Sequence, residues 1–301
     1  MNVHAIIKSS PAADLPVPQA QAWRISYLDA APEQAALAVI NEPSNAVAVA
    51  TPVELSDVLG NVLDLSARPC DGSLLVVWVP SSAGTAGDLD SRLHAWIRRD
   101  LAANQSPVHA SIKTVRVTCT ATRAVIYAAP EHLSDTMDAV ARFALATRQT
   151  SVLEARMAAT WPEIKAHTPL THAVTRKQLR LQPQVNAQTE QATAMKAAHL
   201  RLQTALEQLD PTLSGTSKRM YAELVTAAAL HERVEMLEDP IQFALDHYEL
   251  ANWRLTEIGA ARKGHFLEVL IVVILLGDFG LRFFDAWLKP VISSLISTVI
   301  P

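Results

Sequence analysis

Four ionisable side chains, Glu268, Asp278, Arg282 and Asp285, stand inside an otherwise apolar run, FLEVLIVVILLGDFGLRFFDAWL, at residues 266–288. At 1.5 Å per residue this run would extend roughly 34 Å as a helix, enough to cross a hydrocarbon core of about 30 Å. Asp278 and Arg282 are one helical turn apart and Asp285 lies three residues further on, so a helix sets all three along one face, where they can pair. Glu268 is near one end and can reach the interface. The chemistry of such a set is charge pairing, between copies of the helix or along a conduit, because an unpaired charge at bilayer depth costs about 3 kcal/mol on insertion scales. A buried amphipathic helix of a soluble bundle is the competing reading. The unbroken apolar stretch from Val269 to Leu276 and the aromatics Phe279, Phe283, Phe284 and Trp287 favour a membrane span.

Patterns that would carry catalysis are weaker. Gly259 to Gly264 has the glycine spacing of a phosphate loop, but His265 stands where lysine is required and no strand precedes it. His231-Glu232 opens like a zinc-protease helix, yet Glu235 occupies the position of the second histidine. The 10 histidines are scattered without ligand spacing, and no Gly-x-Ser-x-Gly elbow occurs. No catalytic motif, metal site or cofactor is therefore expected.

The chain has 301 residues, 50% hydrophobic and 19% charged, with a formal net charge of -4. Its mean hydropathy is +0.14. That is apolar for a soluble chain but far too polar for a multi-span transporter, so one local segment must carry the excess. A slightly acidic chain lacks the basic footprint of direct nucleic-acid binding. Cys70 and Cys119 show neither disulfide density nor metal spacing and read as thiols in a reducing compartment. Met1 to Lys8 resembles neither a signal peptide nor an Arg-rich transit peptide, so the body is expected to stay where it is made. Abundant alanine and few aromatics suggest a bacterial source.

The elements that must position the charged run follow from periodicity. Val3 to Ile7, Ala46 to Ala50, Leu74 to Val79, Ile112 to Thr120 and Val125 to Tyr127 read as strands, and Asp88 to Ala102 as a helix, making residues 1–129 a soluble α/β domain with a loop at Pro80 to Gly87. From Pro130 the pattern turns helical. One helix starts at Pro130, with Pro162 and Pro169 bracketing its end; a second follows Pro183 and stops at Asp210-Pro211, with Leu202, Leu206 and Leu209 on its apolar face. Thr212 to Ser217 turns into a stalk. There Leu230, Val234, Leu237, Ile241, Ala244, Tyr248, Ala251, Leu255 and Ile258 step by fours and threes, the seam of a coiled coil between copies or of a helix packed within its own chain. Asp239-Pro240 predicts a kink or restart. The expected layout is α+β: an α/β domain, a helical hairpin or coiled-coil stalk over 130–263, a transmembrane helix over 264–289, and a short amphipathic tail over 290–301 that is interfacial or re-entrant. Arg262 and Lys263 before the span against Lys289 after it place the N-terminal part in the cytoplasm.

The run Arg233-Val-Glu-Met-Leu237, some thirty residues of amphipathic helix, and Leu267-Glu268 opening an apolar segment with Asp278 about ten residues on resemble the C-terminal signature of the "required for meiotic nuclear division" family, which includes bacterial YagE-like proteins. Ala144 to Glu154, ending Ser151-Val-Leu-Glu154, is similar to that family's small-residue helix. Glu238, Val269 and Ala146-Thr147 depart from its pattern, where asparagine, tryptophan and a glutamine-serine pair would stand. The resemblance implies a membrane-anchored protein without an established enzymatic activity; eukaryotic members are mitochondrial, and one is linked to holding ribosomes at the inner membrane.

The expectation is a non-enzymatic, homo-oligomeric scaffold or tether in the bacterial inner membrane, or the mitochondrial inner membrane if the source is eukaryotic. Its partners would be the bilayer, further copies of itself, and a protein or ribonucleoprotein. The alternative is an ion channel or transporter subunit of CorA-like architecture, although the Gly-Met-Asn pore signature of that family and a clear second span are missing.

Overall fold

The computed structural model describes residues 20–29, 37–40, 46–59, 72–81, 87–99, 101, 106–172, 174–208, 210–211 and 213–283. The expected strand at Val3 to Ile7, Cys70, most of the Pro80 to Gly87 loop, Leu209, Asp285 and the 290–301 tail lie outside these residues. The chain divides into two compact units, Met1–Trp161 with Thr193–Gln242, and Pro162–Ala192 with Phe243–Pro301.

The first unit is built on a seven-stranded sheet in the order β2-β3-β1-β4-β7-β6-β5. Its strands are β1 (Gln21–Leu28), β2 (Ala38–Ile40), β3 (Ala46–Val53), β4 (Leu74–Pro80), β5 (Val108–Ile112), β6 (Val115–Cys119) and β7 (Arg123–Ala128). Only β4 and β7 pair in parallel, Leu75 opposite Arg123 through Pro80 opposite Ala128; the other neighbours are antiparallel. Successive side chains of β4 go to opposite faces. Val76 and Trp78 join one core; Val77 and Val79 join the other. Burial on both faces explains why β4 is a continuous apolar run in the sequence.

The second of these cores is covered by α1 (Leu55–Leu59) and α2 (Gly87–Arg98), which supply Val58, Leu93, Trp96 and Ile97. On the first face lies α3 (Pro130–His167), whose Leu133, Met137, Val140 and Phe143 bury against Trp23, Ile25, Leu74 and Ile126. Leu202 and Leu206 of α4 (Gln182–Glu207), Met220 and Leu224 of α5 (Gly215–Ala227), and Leu230 and Val234 of α6 (Leu230–Phe283) extend the same core. Residues 130–161 and 193–242 thus belong to the sheet-bearing unit, and a boundary after residue 129 is not where the chain divides. The reason is burial: the α3 face that reads as half of a hairpin is the cover of the sheet.

Three further expectations change in detail. Ile112 to Thr120 is not one strand, because Lys113 takes φ 51° and turns β5 back into β6. The stalk does not begin directly after Ser217: Ser214 caps α5 by accepting from Ser217 N at 3.1 Å, and Ala229 at φ 49° separates α5 from α6. Helix α3 ends at His167, between Pro162 and Pro169 as expected, whereas Pro240 stands inside α6 and does not end it. Pro240 removes one bond to the Met236 carbonyl, but Leu237 and Ile241 on either side are buried, and their packing carries the helix across the gap.

Polar groups tie α3 to the sheet. Tyr27 Oη donates to the Ala141 carbonyl at 2.7 Å, and burial raises the Tyr27 hydroxyl's pKa well above its ordinary value. Arg148 donates to the carbonyls of Gly72, Ser73 and Ala121 at 2.6, 3.3 and 3.4 Å, and Gly72 sits at φ 95° to present its own. Arg142 bridges Asp138 at 2.8 Å and Asp210 at 2.9 Å.

Candidate membrane-facing site

Helix α6 places the charged run at its C-terminal end. An 18-residue window there has a mean hydropathy of 1.9 and no buried residue. Every residue from Ala260 to Arg282 is exposed, including Phe266, Val269, Ile271, Ile274, Leu276, Phe279 and Leu281. An open apolar surface of this length is not stable in water and calls for lipid or protein to cover it. Arg262 and Lys263 are exposed just before it. Within it Asp278 and Arg282 form an ion pair at 3.0 Å, as the i, i+4 spacing predicts, with side chains 58% and 79% exposed. Glu268 lies 3.6 Å from His265. Asp285 is outside the described residues.

The seam residues take a different position. Leu230, Val234, Leu237 and Ile241 are buried in the first unit, and Ala244, Tyr248, Ala251 and Leu255 in the second, while Ile258 is half-buried. Their own chain fills the seam, so the burial matches a helix packed within its chain.

Two polar features were not legible in the sequence. In the first unit a cleft of about 790 Å³ is lined by Thr120, Thr122, Thr147, Ser151, Glu154 and Arg233, among others. Arg233 grips Glu154 with two bonds of 2.9 and 2.8 Å and reaches Ser151 Oγ at 3.3 Å. These groups come from α3 and α6, 79 positions apart, and no local spacing signals their meeting. The guanidinium is already satisfied by the carboxylate, so the cleft offers hydroxyls and a neutral ion pair rather than a free cation. In the second unit Tyr248 packs edge-on against His167 and His247, with ring centroids 6.0 and 5.5 Å away. His167 Nδ1, His247 Nε2 and Tyr248 Oη are buried without a hydrogen-bond partner. Burial first, then His167 and His172, holds the His247 pKa below its ordinary value; burial and Glu163 push Tyr248 up to about 12. Among the described residues no group of three or more His, Cys, Asp or Glu side chains is arranged to hold a metal ion.

The described residues therefore define a mixed α+β protein with one helix long and apolar enough to cross a membrane. No known family matches the sequence, and no curated protein matches it. A solved structure, that of the full-length CmaX protein, is similar over 95% of this chain and 88% of its own, at 12% identity and a TM-score of 0.29. A likeness at that score carries no argument about fold or function.

Proposed function

We propose that this protein is a membrane-anchored, self-associating scaffold whose sheet-bearing unit stays in the cytoplasm and binds a protein or ribonucleoprotein partner. The observation that carries it is the fully exposed apolar end of α6 with the Asp278–Arg282 pair inside it. Lipid is the cover that needs no further partner, and a charge pair at that depth favours helix association, because each charged group keeps hydrogen-bonding capacity that one intrahelical contact does not satisfy. The tethering part rests on the resemblance to the "required for meiotic nuclear division" family, and the orientation on Arg262 and Lys263.

Fractionation tests the anchor. The full chain should sediment with membranes and need detergent, whereas a chain truncated after Ile258 should stay in the soluble fraction; full-length protein soluble without detergent sinks the reading. Native mass measurement tests association. Arg282→Leu strands Asp278 and should lower the oligomer's stability in detergent, and adding Asp278→Asn should restore part of it. A monomeric unmodified chain overturns self-association. An oligomer indifferent to Arg282→Leu gives the charges another role, for which a conduit is the next candidate.

A further inference from the structure

The buried part of the second unit holds three ionisable side chains for which an apolar helix contact has no use. His167 ends α3, and His247 and Tyr248 are neighbours on α6. Both imidazoles are 8% exposed and the phenol 0%. The Tyr248 ring meets them edge-on, its plane 69° from that of His167 and 83° from that of His247, so a single ring separates two groups that can each take up a proton. Among the described residues no ion pair joins either imidazole to a carboxylate. His172 is exposed and acts on His247, and Glu163 acts on Tyr248. The other charged side chains described on the facing stretches 162–192 and 243–251 are Lys165, Lys177, Arg180, Glu190, Asp246 and Glu249, all of them exposed.

We propose that His167, His247 and Tyr248 form an acid-sensitive latch: a proton taken up by this cluster loosens α6 over residues 243–258 from residues 162–192, while the sheet-bearing unit stays closed. An imidazolium here is nearly cut off from water and stands close to further histidines, with no carboxylate paired to it. Loosening removes both costs together, since it hydrates the ring and lets the histidines move apart. It also breaks few polar contacts. His167 Nδ1, His247 Nε2 and Tyr248 Oη have no hydrogen bond in the closed fold, so water gains three unsatisfied atoms when the contact opens. The sheet-bearing unit differs at its own buried histidine. His199 Nε2 donates to the Val234 carbonyl at 2.9 Å, a bond that an imidazolium keeps. The sign follows from the cluster's preference for neutral rings: closure is favoured above the ordinary histidine range and lost as pH falls below about 6.5.

Hydrogen exchange of the full chain in mild detergent, at pH 7.5 and pH 5.5 and corrected for the intrinsic rate at each, reads the latch directly. Peptides covering 162–172 and 244–258 should exchange about tenfold faster at the lower pH, and peptides from β4 and β7 should keep their protection. His247→Gln combined with His167→Gln should abolish the difference, and protection of the double variant at pH 7.5 checks that it folds. The single variant His247→Gln, which leaves His167 in place, should reduce the difference and serves if the double variant does not fold. Equal protection of the unmodified chain at the two pH values overturns the inference. So does a loosening that persists undiminished in the glutamine variants, which would place the titrating group elsewhere, and so does a loss of protection that extends equally through β4 and β7.

Discussion

Replacing Arg142 by Met should destabilise the sheet-bearing unit more than any surface change, and the structure sets the size. The side chain is 9% exposed and holds two carboxylates, Asp138 at 2.8 Å and Asp210 at 2.9 Å, themselves 20% and 16% exposed. Removing one member of a buried charge network costs about 3–5 kcal/mol; the partial exposure of the carboxylates puts this case at the lower end, about 3 kcal/mol. For a unit of roughly 200 residues, at about 2–4 °C per kcal/mol, the midpoint should fall by about 6–12 °C. Burial raises the Asp138 pKa above its ordinary value despite the opposing pull of Arg142, so its ionised form is already disfavoured by folding. Asp138→Asn alone should therefore change stability by less than about 1 kcal/mol, and Asp138→Asn added to Arg142→Met should recover about 1–2 kcal/mol. Thermal unfolding of the full chain in mild detergent, followed by tryptophan fluorescence, measures all three. A shift below about 2 °C for Arg142→Met would show the network to be solvent-screened and refute the reasoning.

Burial, and then His167 and His172, hold the His247 pKa below 6.5 in the fold. The stability is full above that unfolded value and is lost as pH falls below it toward the lowered folded one, so the unfolding midpoint should drop as the pH is taken below about 6.5. His247→Gln should flatten that drop; an unaltered pH profile would remove His247 as its source. Gly72→Ala should cost about 1–2 kcal/mol by the same unfolding assay, since φ 95° is strained for any side chain and the new Cβ would lie 3.2 Å from the Arg148 guanidinium. Ala229→Gly should raise stability by about 1 kcal/mol by relieving the φ of 49° between α5 and α6, and a loss would show that the turn is not strained.

Local pattern was enough for the elements whose burial is simple. β4 is buried on both faces and shows as a plain apolar run, and the end of α6 shows as a long apolar run whose described residues are all exposed. The i, i+4 pair of Asp278 and Arg282 was equally legible, since both partners lie on one turn. β1 was not, because a central strand here carries Arg24 and Ser26, and only pairing with β3 and β4 makes Gln21–Leu28 extended. Pro240 argued locally for a kink or a restart, and the helix continues through it with Leu237 and Ile241 buried on either side. The meeting of Arg233 with Glu154, of Arg142 with Asp210, and of His167 with Tyr248 joins residues tens of positions apart. The same holds for the heptad seam of α6: spacing determines that one face must be covered, but whether the cover is a second copy or the chain's own helices depends on where distant segments return. The fold covers that face from within.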